Sequence, residues 1–185
     1  MSDEKLIEKK ISSKKVFSGK LLHVNIDEVL LPNGKTSARE YITHPGAAVI
    51  IPVLENGDIV MLRQFRYPVN EVLYELPAGK LDKGEDPLEC AKRELFEETG
   101  YTCNEIKFLN SFYPCIGYSD EKILIYLAKG LTLHKGDHSD EDEFLEVMTM
   151  SFQKALDLLK NGKITDSKTI ISLFWADKIL SNRWT

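Results

Sequence analysis

The spacing of apolar residues along this chain of 185 residues changes from strand-like to helix-like near residue 86. Residues 47–54, AAVIIPVL, form an almost wholly apolar run that predicts a buried strand. The dipeptides Asn33-Gly34 and Asn56-Gly57 separate strand-like runs and are typical of hairpin turns. They predict a first hairpin from strands at 16–31 and 36–44, and a second from 47–54 and 58–65.

The first helix is predicted by local signals at both of its ends. Asp86 is a candidate N-cap and Pro87 fits the first helical position. Gly100 is a natural C-terminal stop. An apolar stripe for packing lies at i, i+3 and i+7, on Leu88, Ala91 and Leu95.

The remaining pattern completes a mixed α+β protein with a sheet between helices. Further strands are predicted at 71–79, 106–114, 122–131 and 143–150. Two more helices are predicted, at 151–160 with Ser151 as N-cap and at 167–181 with Asp166 as N-cap.

The chain divides into two expected parts. Residues 1–43 form an antiparallel β element that is too small to be stable alone. We expect it to dock on the main body, residues 44–185, or on a second subunit.

Composition narrows the function classes. The sequence is 43% hydrophobic and has a formal net charge of −5, which argues against nucleic-acid binding by a basic surface. No apolar run approaches the length of about 20 residues that spans a membrane. The three cysteines, Cys90, Cys103 and Cys115, form no CxxC pair. With the charged N-terminus, they predict a cytoplasmic protein with reduced thiols.

Three glutamates stand at an unfavourable place in the first helix. Glu94, Glu97 and Glu98 lie near its C-terminus, where the helix dipole disfavours negative charge. Glu94 and Glu98 are also an i,i+4 like-charge pair, which costs about 0.2–0.5 kcal/mol. Either plain solvation or a bound cation can offset this repulsion, and the helix alone does not choose between them.

The residues around these glutamates follow the pattern G-x5-E-x7-R-E-U-x-E-E-x-G-U, in which U is a bulky apolar residue. The pattern is filled at every defined position by Gly79, Glu85, Arg93, Glu94, Leu95, Glu97, Glu98, Gly100 and Tyr101. This stretch resembles the Nudix box. The resemblance implies an α/β/α sandwich with a mixed sheet, to which the N-terminal β element is added.

The resemblance also implies a metal site. Hard divalent cations prefer carboxylate and carbonyl oxygens. The implied cofactor is Mg2+, for which Mn2+ can substitute, and Glu97 and Glu98 are the implied catalytic residues of the box. The implied ligands are Glu94, Glu97, Glu98 and the carbonyl of Ala78. Arg93 is expected to orient a box glutamate, with a simple surface ion pair as its alternative. Glu85 is expected to support the box, with direct ligation of the metal as its alternative.

Residues 15–175 resemble the ADP-ribose pyrophosphatase branch of this family. The segments that carry the resemblance include RQFRYP at 63–68, ELPAGKLDKGEDP at 75–87 and FYPCIGYSDEKILIYLA at 112–128. It implies Mg2+-dependent hydrolysis of ADP-ribose to AMP and ribose 5-phosphate. Ile116 stands where the branch usually has a marker proline, so another nucleoside diphosphate sugar, such as ADP-glucose or GDP-mannose, stays open.

Two arginines are candidate substrate contacts. By resemblance, Arg66 bonds phosphate oxygens in a bidentate manner, and its alternative is an edge-strand ion pair. Arg39 aligns with a region that holds the adenine or the terminal ribose, and its alternative is a plain strand arginine. In the family this contact is sometimes made across a dimer, so a homodimer that exchanges the N-terminal element is expected.

A second acidic run, at 138–147, has two interpretations. Charge runs in loops are usually solvated. In the ADP-ribose branch, however, a late loop supplies a glutamate to the metal site, as a ligand or as the general base. Glu143 fits best and is the candidate metal ligand, and both Glu143 and Glu141 are candidate catalytic residues.

Two rivals belong to other function classes. A nucleotide sensor without catalysis predicts lost box carboxylates, whereas this chain keeps each of them. An RNA-decapping enzyme predicts a basic surface, which the net charge of −5 disfavours.

Overall fold

The computed structural model of the protein describes residues 3–134 and 144–184. After a short 3-10 turn at Asp3–Lys5, these residues form ten strands and three helices, which confirms the mixed α+β class. The strands are β1 Lys9–Ser18, β2 His23–Leu30, β3 Thr36–Thr43, β4 Ala47–Pro52, β5 Asp58–Arg66, β6 Glu71–Glu75, β7 Ala78–Lys80, β8 Tyr101–Phe112, β9 Ile123–Leu133 and β10 Leu145–Ser151. The helices are α1 Pro87–Thr99, α2 Phe152–Lys160 and α3 Ser167–Leu180.

The first of two compact units comprises the chain up to Pro45 together with Cys115–Lys122. Its sheet has the order β1-β2-β3 and is antiparallel throughout. The loop Cys115–Lys122 joins this unit at the end of β3. The Ile42 N–H donates to the Tyr118 carbonyl at 2.8 Å, and the His44 N–H donates to Asp120 at 2.7 Å. The boundary at residue 43 stays a prediction.

Strand β1 is exposed along its whole length. It begins at Lys9 and ends at Ser18. The prediction of one strand at 16–31 is wrong, because a turn in which the Gly19 N–H donates to the Leu22 carbonyl at 2.8 Å separates β1 from β2. Strand β1 pairs with β2, and several of its apolar side chains lie in solvent, among them Ile11, Val16 and Phe17.

The second unit contains two sheets, with the orders β7-β4-β9-β8 and β10-β5-β6. The first of these sheets is mixed, because β4 runs parallel to β9 and antiparallel to β7. All six residues of β4 are buried, which confirms the predicted interior strand.

The two faces of β4 pack against different helices. Val49 and Ile51 belong to a cluster that contains Leu173 of α3. Ala48 and Ile50 belong to a second cluster that contains Ala91 and Leu95 of α1. The sheet therefore lies between helices, and one of its faces fixes the orientation of α1.

The second predicted hairpin is only partly correct. The turn is present, since Gly57 has φ 85° and the Leu54 N–H donates to the Asp58 carbonyl at 2.8 Å. Beyond the isolated bridge between Val53 and Ile59, however, β4 and β5 lie in different sheets. The prediction of a paired hairpin is wrong here, because a tight turn fixes the change of direction and not the strand pairing that follows.

The helix ends agree with the sequence. Asp86 accepts a hydrogen bond from the Leu88 N–H at 2.8 Å, and Gly100 ends α1 in the left-handed conformation with φ 72°. Ser151 and Asp166 cap α2 and α3 as predicted. None of the helices in the described part of the chain is both long and apolar enough to cross a membrane.

Candidate active site

Helix α1 holds Glu94 and Glu98 against the sheet rather than in solvent. Glu94 is 9% exposed and Glu98 is 5% exposed, whereas Glu97 is half-buried. They lie on the helix whose other side packs Ala91 and Leu95 into the core. Because a buried carboxylate is costly unless it is paired or hydrogen-bonded, the partners of these groups decide what the site can do.

One arginine bonds three carboxylates. The Nη1 of Arg93 donates to Glu94 Oε1 at 2.7 Å and to Glu97 Oε2 at 2.8 Å. Its Nε and Nη2 donate to the two oxygens of Glu85 at 2.9 and 3.0 Å. We call Arg93, Glu85, Glu94 and Glu97 the Arg93 cluster. The orienting contact expected of Arg93 is therefore present, and it reaches more than one box glutamate.

The electrostatics of the Arg93 cluster follow from these bonds. Hydrogen bonding to Arg93, and then to the Asp82 backbone N–H, lowers the pKa of Glu85 to about 2. Glu85 raises the pKa of Arg93 in turn, and Glu97 and Glu94 add to that rise. The cluster holds one positive charge against three negative charges, so it keeps a negative excess.

The backbone of β7 meets these carboxylates closely. A Cβ at Gly79 would lie 1.9 Å from Glu94 Cδ, so only glycine leaves room for that carboxylate. The N–H of Ala78 donates to Glu98 Oε2 at 2.8 Å. The backbone at Ala78, the predicted carbonyl ligand, therefore lies next to one of the predicted carboxylate ligands.

The predicted ligands match a hard cation in chemistry but are not arranged around one. Among the described residues, no three His, Cys, Asp or Glu side chains are grouped closely enough to hold a metal ion. The guanidinium of Arg93 lies between Glu94 and Glu97, so these oxygens would have to exchange a bond to nitrogen for a bond to metal. Carboxylate and carbonyl oxygens are the donor set that Mg2+ prefers.

Arg66 is held by a carboxylate that the sequence analysis missed. Its Nε and Nη2 each donate to Glu75 at 2.7 Å. The Nζ of Lys168 donates to the same carboxylate and to Asp166 Oδ2, the latter at 3.0 Å. We call Glu75, Arg66, Lys168 and Asp166 the Glu75 cluster. The alternative interpretation of Arg66, an ion pair, is thus present, although its partner Glu75 is only 2% exposed.

A signal for Glu75 is visible in the sequence. It is an acidic residue inside the apolar run VLYEL at 72–76, where a strand packs into the core. An isolated carboxylate at such a position requires a cation. Lys168, its second partner, lies 93 residues further along the chain and has no comparable local signal.

The other predicted site residues are placed as follows. Arg39 lies in the first unit, where it donates to Glu8 through Nε at 2.9 Å and to Ser37 through Nη1 at 3.0 Å. Ile116 is 80% exposed in the loop of the same unit. Glu141 and Glu143 lie outside the described residues.

Comparisons with known proteins give one family match and several similar proteins. A model of the NUDIX domain matches residues 43–173. Over 167 residues, the chain is 44% identical to a methanol dehydrogenase activator of Bacillus methanolicus, with 90% of each chain covered. Over 169 residues, it is 43% identical to an ADP-ribose pyrophosphatase of Bacillus subtilis (strain 168), with 91% of each covered. A crystal structure of an ADP compounds hydrolase has a TM-score of 0.82 at 22% identity, covers 95% of both chains and shows the likeness of the fold.

Proposed function

The chain belongs to the NUDIX domain family, and from this premise we propose that it hydrolyses the diphosphate bond of ADP-ribose to AMP and ribose 5-phosphate. One observation carries the proposal. The box carboxylates Glu94 and Glu98 are buried beside β7, and Gly79 leaves the space that Glu94 fills. The relative named as an ADP-ribose pyrophosphatase supports the substrate.

The reaction adds one water to one of the two phosphorus atoms. The new P–O bond forms as the bond from that phosphorus to the bridging oxygen breaks, and the water's protons are released or passed to the leaving phosphate. Each product keeps one phosphate. Because the diphosphate is an anion and the Arg93 cluster has excess negative charge, the two require cations between them.

The ligand set proposed for Mg2+, with Mn2+ as a substitute, is Glu94, Glu97, Glu98 and the Ala78 carbonyl. When bound, such a cation neutralises phosphate charge and lowers the pKa of a coordinated water. Glu97 and Glu98 are the proposed catalytic box residues. Two further proposed residues lie outside the described part of the chain. Glu143 is proposed as a further ligand, and the general base is proposed to be Glu141 or Glu143.

Arg66 is the proposed phosphate contact. Its Nε and Nη2 each give one N–H to Glu75, which leaves both N–H groups of Nη1 and the second N–H of Nη2 for the bidentate contact with phosphate. Arg39 is the proposed contact to the adenine or the terminal ribose.

We also propose that the protein is a homodimer. The support is the exposed apolar surface of β1, where Ile11 and Phe17 are 52% and 55% exposed. A second copy of the chain would cover such a face, as is common for extended apolar surface. Light scattering after gel filtration measures the mass directly. A Phe17→Glu variant is expected to be monomeric, and a wild-type protein that is already monomeric would contradict the dimer.

A second candidate function is the same hydrolysis on another nucleoside diphosphate sugar. Ile116 favours it, because this exposed residue stands where the ADP-ribose branch has its marker proline. Hydrolysis of another nucleoside diphosphate sugar would use the same box residues and the same cations, and only the residues that contact the sugar would differ.

The test compares products on a panel of substrates. Purified protein is incubated with ADP-ribose, ADP-glucose or GDP-mannose, with and without Mg2+, and the nucleotides are resolved by chromatography. AMP from ADP-ribose, formed only with the cation, is the expected result. Cleavage of another sugar alone would overturn the substrate and keep the reaction. Binding without cleavage across the panel would make the protein a nucleotide sensor.

A further inference from the structure

The Glu75 cluster is a buried carboxylate shared by two cations. Glu75 ends β6 and is 2% exposed. It accepts two hydrogen bonds of 2.7 Å from Arg66 and one from Lys168. Although burial favours the neutral acid, these partners hold the pKa of Glu75 below its ordinary value. Both cations are therefore fixed by one charged group that solvent does not reach.

Arg66 is anchored along one edge only. Its side chain is 41% exposed, and Glu75 occupies Nε and Nη2. Within residues 3–134 and 144–184, Nη1 makes no hydrogen bond. A long arginine side chain that is already fixed loses less rotamer freedom when it binds an anion. Nη1 is thus prepared to donate to an incoming group.

The field around Arg66 connects the Glu75 cluster with the box helix. Hydrogen bonds to Glu75 are the main reason that the pKa of Arg66 is raised, and the charge of Glu98 adds to it. Arg66 therefore lies within electrostatic reach of a proposed metal ligand. A diphosphate bound at that ligand would have this cation beside it.

We propose that Glu75 is a positioning residue for the diphosphate: with Lys168 behind it, it holds Arg66 so that Nη1 donates to a phosphate oxygen. The inference rests on the proposed function, because it needs a substrate phosphate at the box. Its new content is that substrate affinity depends on a buried carboxylate that itself makes no contact with substrate.

A purely structural role, pinning α3 to β6, is already filled by another residue. The Leu76 N–H donates to Thr169 Oγ1 at 2.9 Å, and Thr169 is completely buried. Thr169 is in turn bonded to Asp166, the cap of α3. The helix is thus tied to the residue after β6 through Thr169, and the ionic bonds of Glu75 are not required for that contact.

A double-mutant cycle separates the two roles. Wild type, Glu75→Gln, Arg66→Ala and the double variant are compared by kcat and KM on ADP-ribose with Mg2+. Glu75→Gln is expected to lower kcat/KM by about 10- to 100-fold, the worth of a charge-assisted hydrogen bond, mostly through KM. The kcat/KM of the double variant is expected to lie within about twofold of that of Arg66→Ala, because without Arg66 the Glu75 carboxylate has no side chain to position.

Two further variants serve as controls, and a third is held in reserve. Glu75→Asp keeps the charge and is expected to recover part of the affinity that Glu75→Gln loses. Glu146→Gln removes the β10 carboxylate that pairs at 2.8 Å with Arg63, which lies on β5 as Arg66 does. Loss of this surface ion pair is expected to leave KM unchanged. Thermal unfolding reports whether each variant is folded, and if Glu75→Gln is not, Lys168→Met takes its place in the cycle.

The outcomes distinguish this inference from the proposed function. If the losses of Glu75→Gln and Arg66→Ala add in the double variant, Glu75 acts independently of Arg66 and the inference is overturned while the function stands. If wild type cleaves only another nucleotide sugar, the proposed substrate fails and the cycle is measured on that sugar. If wild type cleaves none of the sugars and does not bind ADP-ribose in calorimetry with Mg2+, both are overturned.

Discussion

The Arg93 cluster and the Glu75 cluster are both built from carboxylates and basic side chains, but in different proportions. In the first, one guanidinium is shared by three carboxylates. In the second, a buried carboxylate is shared by two cations, one of which also bonds Asp166. The Glu75 cluster is balanced and can persist as it is, whereas the Arg93 cluster has a negative excess that a divalent cation would reduce. The difference teaches that charge balance, and not burial alone, separates a supporting network from a binding site.

The largest effect is expected from Glu98→Gln. It removes a proposed ligand and should lower kcat by about 10²- to 10³-fold, the scale of losing one electrostatic contact in a transition state. Its stability should hold, because the amide oxygen can still accept the Ala78 N–H and a like-charge pair is relieved. Glu89→Gln on the outer face of α1, where Glu89 pairs with Lys92, is the matched control. Equal rates for both variants would contradict the assignment.

A smaller effect is expected from Gly79→Ala. The new methyl would lie 1.9 Å from Glu94 Cδ, so this carboxylate must move out of the Arg93 cluster. Overpacking of this kind costs about 1–3 kcal/mol of stability. Urea denaturation measures the loss, and activity assays should show a decrease with it. Gly117→Ala is the control, since no atom lies within 4 Å of that position. An unchanged Gly79→Ala protein would mean that Glu94 is not held against β7.

Arg93→Lys tests the unbalanced cluster directly. Lysine keeps the charge but cannot bond three carboxylates in the geometry of a guanidinium, which should cost about 1 kcal/mol. Because Mg2+ can replace part of the lost contacts, it should raise the unfolding temperature more in this variant than in wild type. Lys168→Met in the balanced Glu75 cluster should show no such extra gain. Equal rises in unfolding temperature with Mg2+ in both variants would contradict the distinction between the two clusters.

The smallest effect is expected on the unfolding free energy at acid pH. The pKa of Glu85 is about 2 in the folded protein against an ordinary value of 4.5, so its ionised form stabilises the fold. This contribution is fully present above 4.5 and is lost as the pH falls towards 2. The difference in unfolding free energy between wild type and Glu85→Gln should therefore shrink over that interval in urea titrations. A difference that stays constant would show that Arg93 does not hold the Glu85 carboxylate.

Features with local causes were predictable from the sequence. Helix α1 follows from Asp86, Pro87 and Gly100, each of which acts within a few residues of its own position. The burial of β4 follows from its unbroken apolar run, which has no polar face to offer solvent. The box carboxylates were found for the same reason, because the chain spaces them within one helix.

Features that depend on distant partners were not predictable in the same way. Glu75 and Lys168 are 93 residues apart, and neither residue's neighbours identify the other. The separation of β4 and β5 into different sheets depends on β9 and β10, which pair with them from the far end of the chain. The single strand predicted at 16–31 is two strands in the structure, and the start of β1 was not predicted because its polar residues, such as Lys9 and Lys10, bury nothing and follow β2 by backbone pairing alone.

The loop Cys115–Lys122 sets an order for folding during synthesis. Strand β3 completes its contacts only when Ser119 bridges to Ile42 and Asp120 accepts from the His44 N–H. A ribosome that adds roughly 5–20 residues per second reaches this loop several seconds after β3 has been made. The N-terminal sheet therefore emerges first and is finished late. During that interval its apolar side chains, Phe17 among them, are exposed on a sheet that still lacks its last contacts.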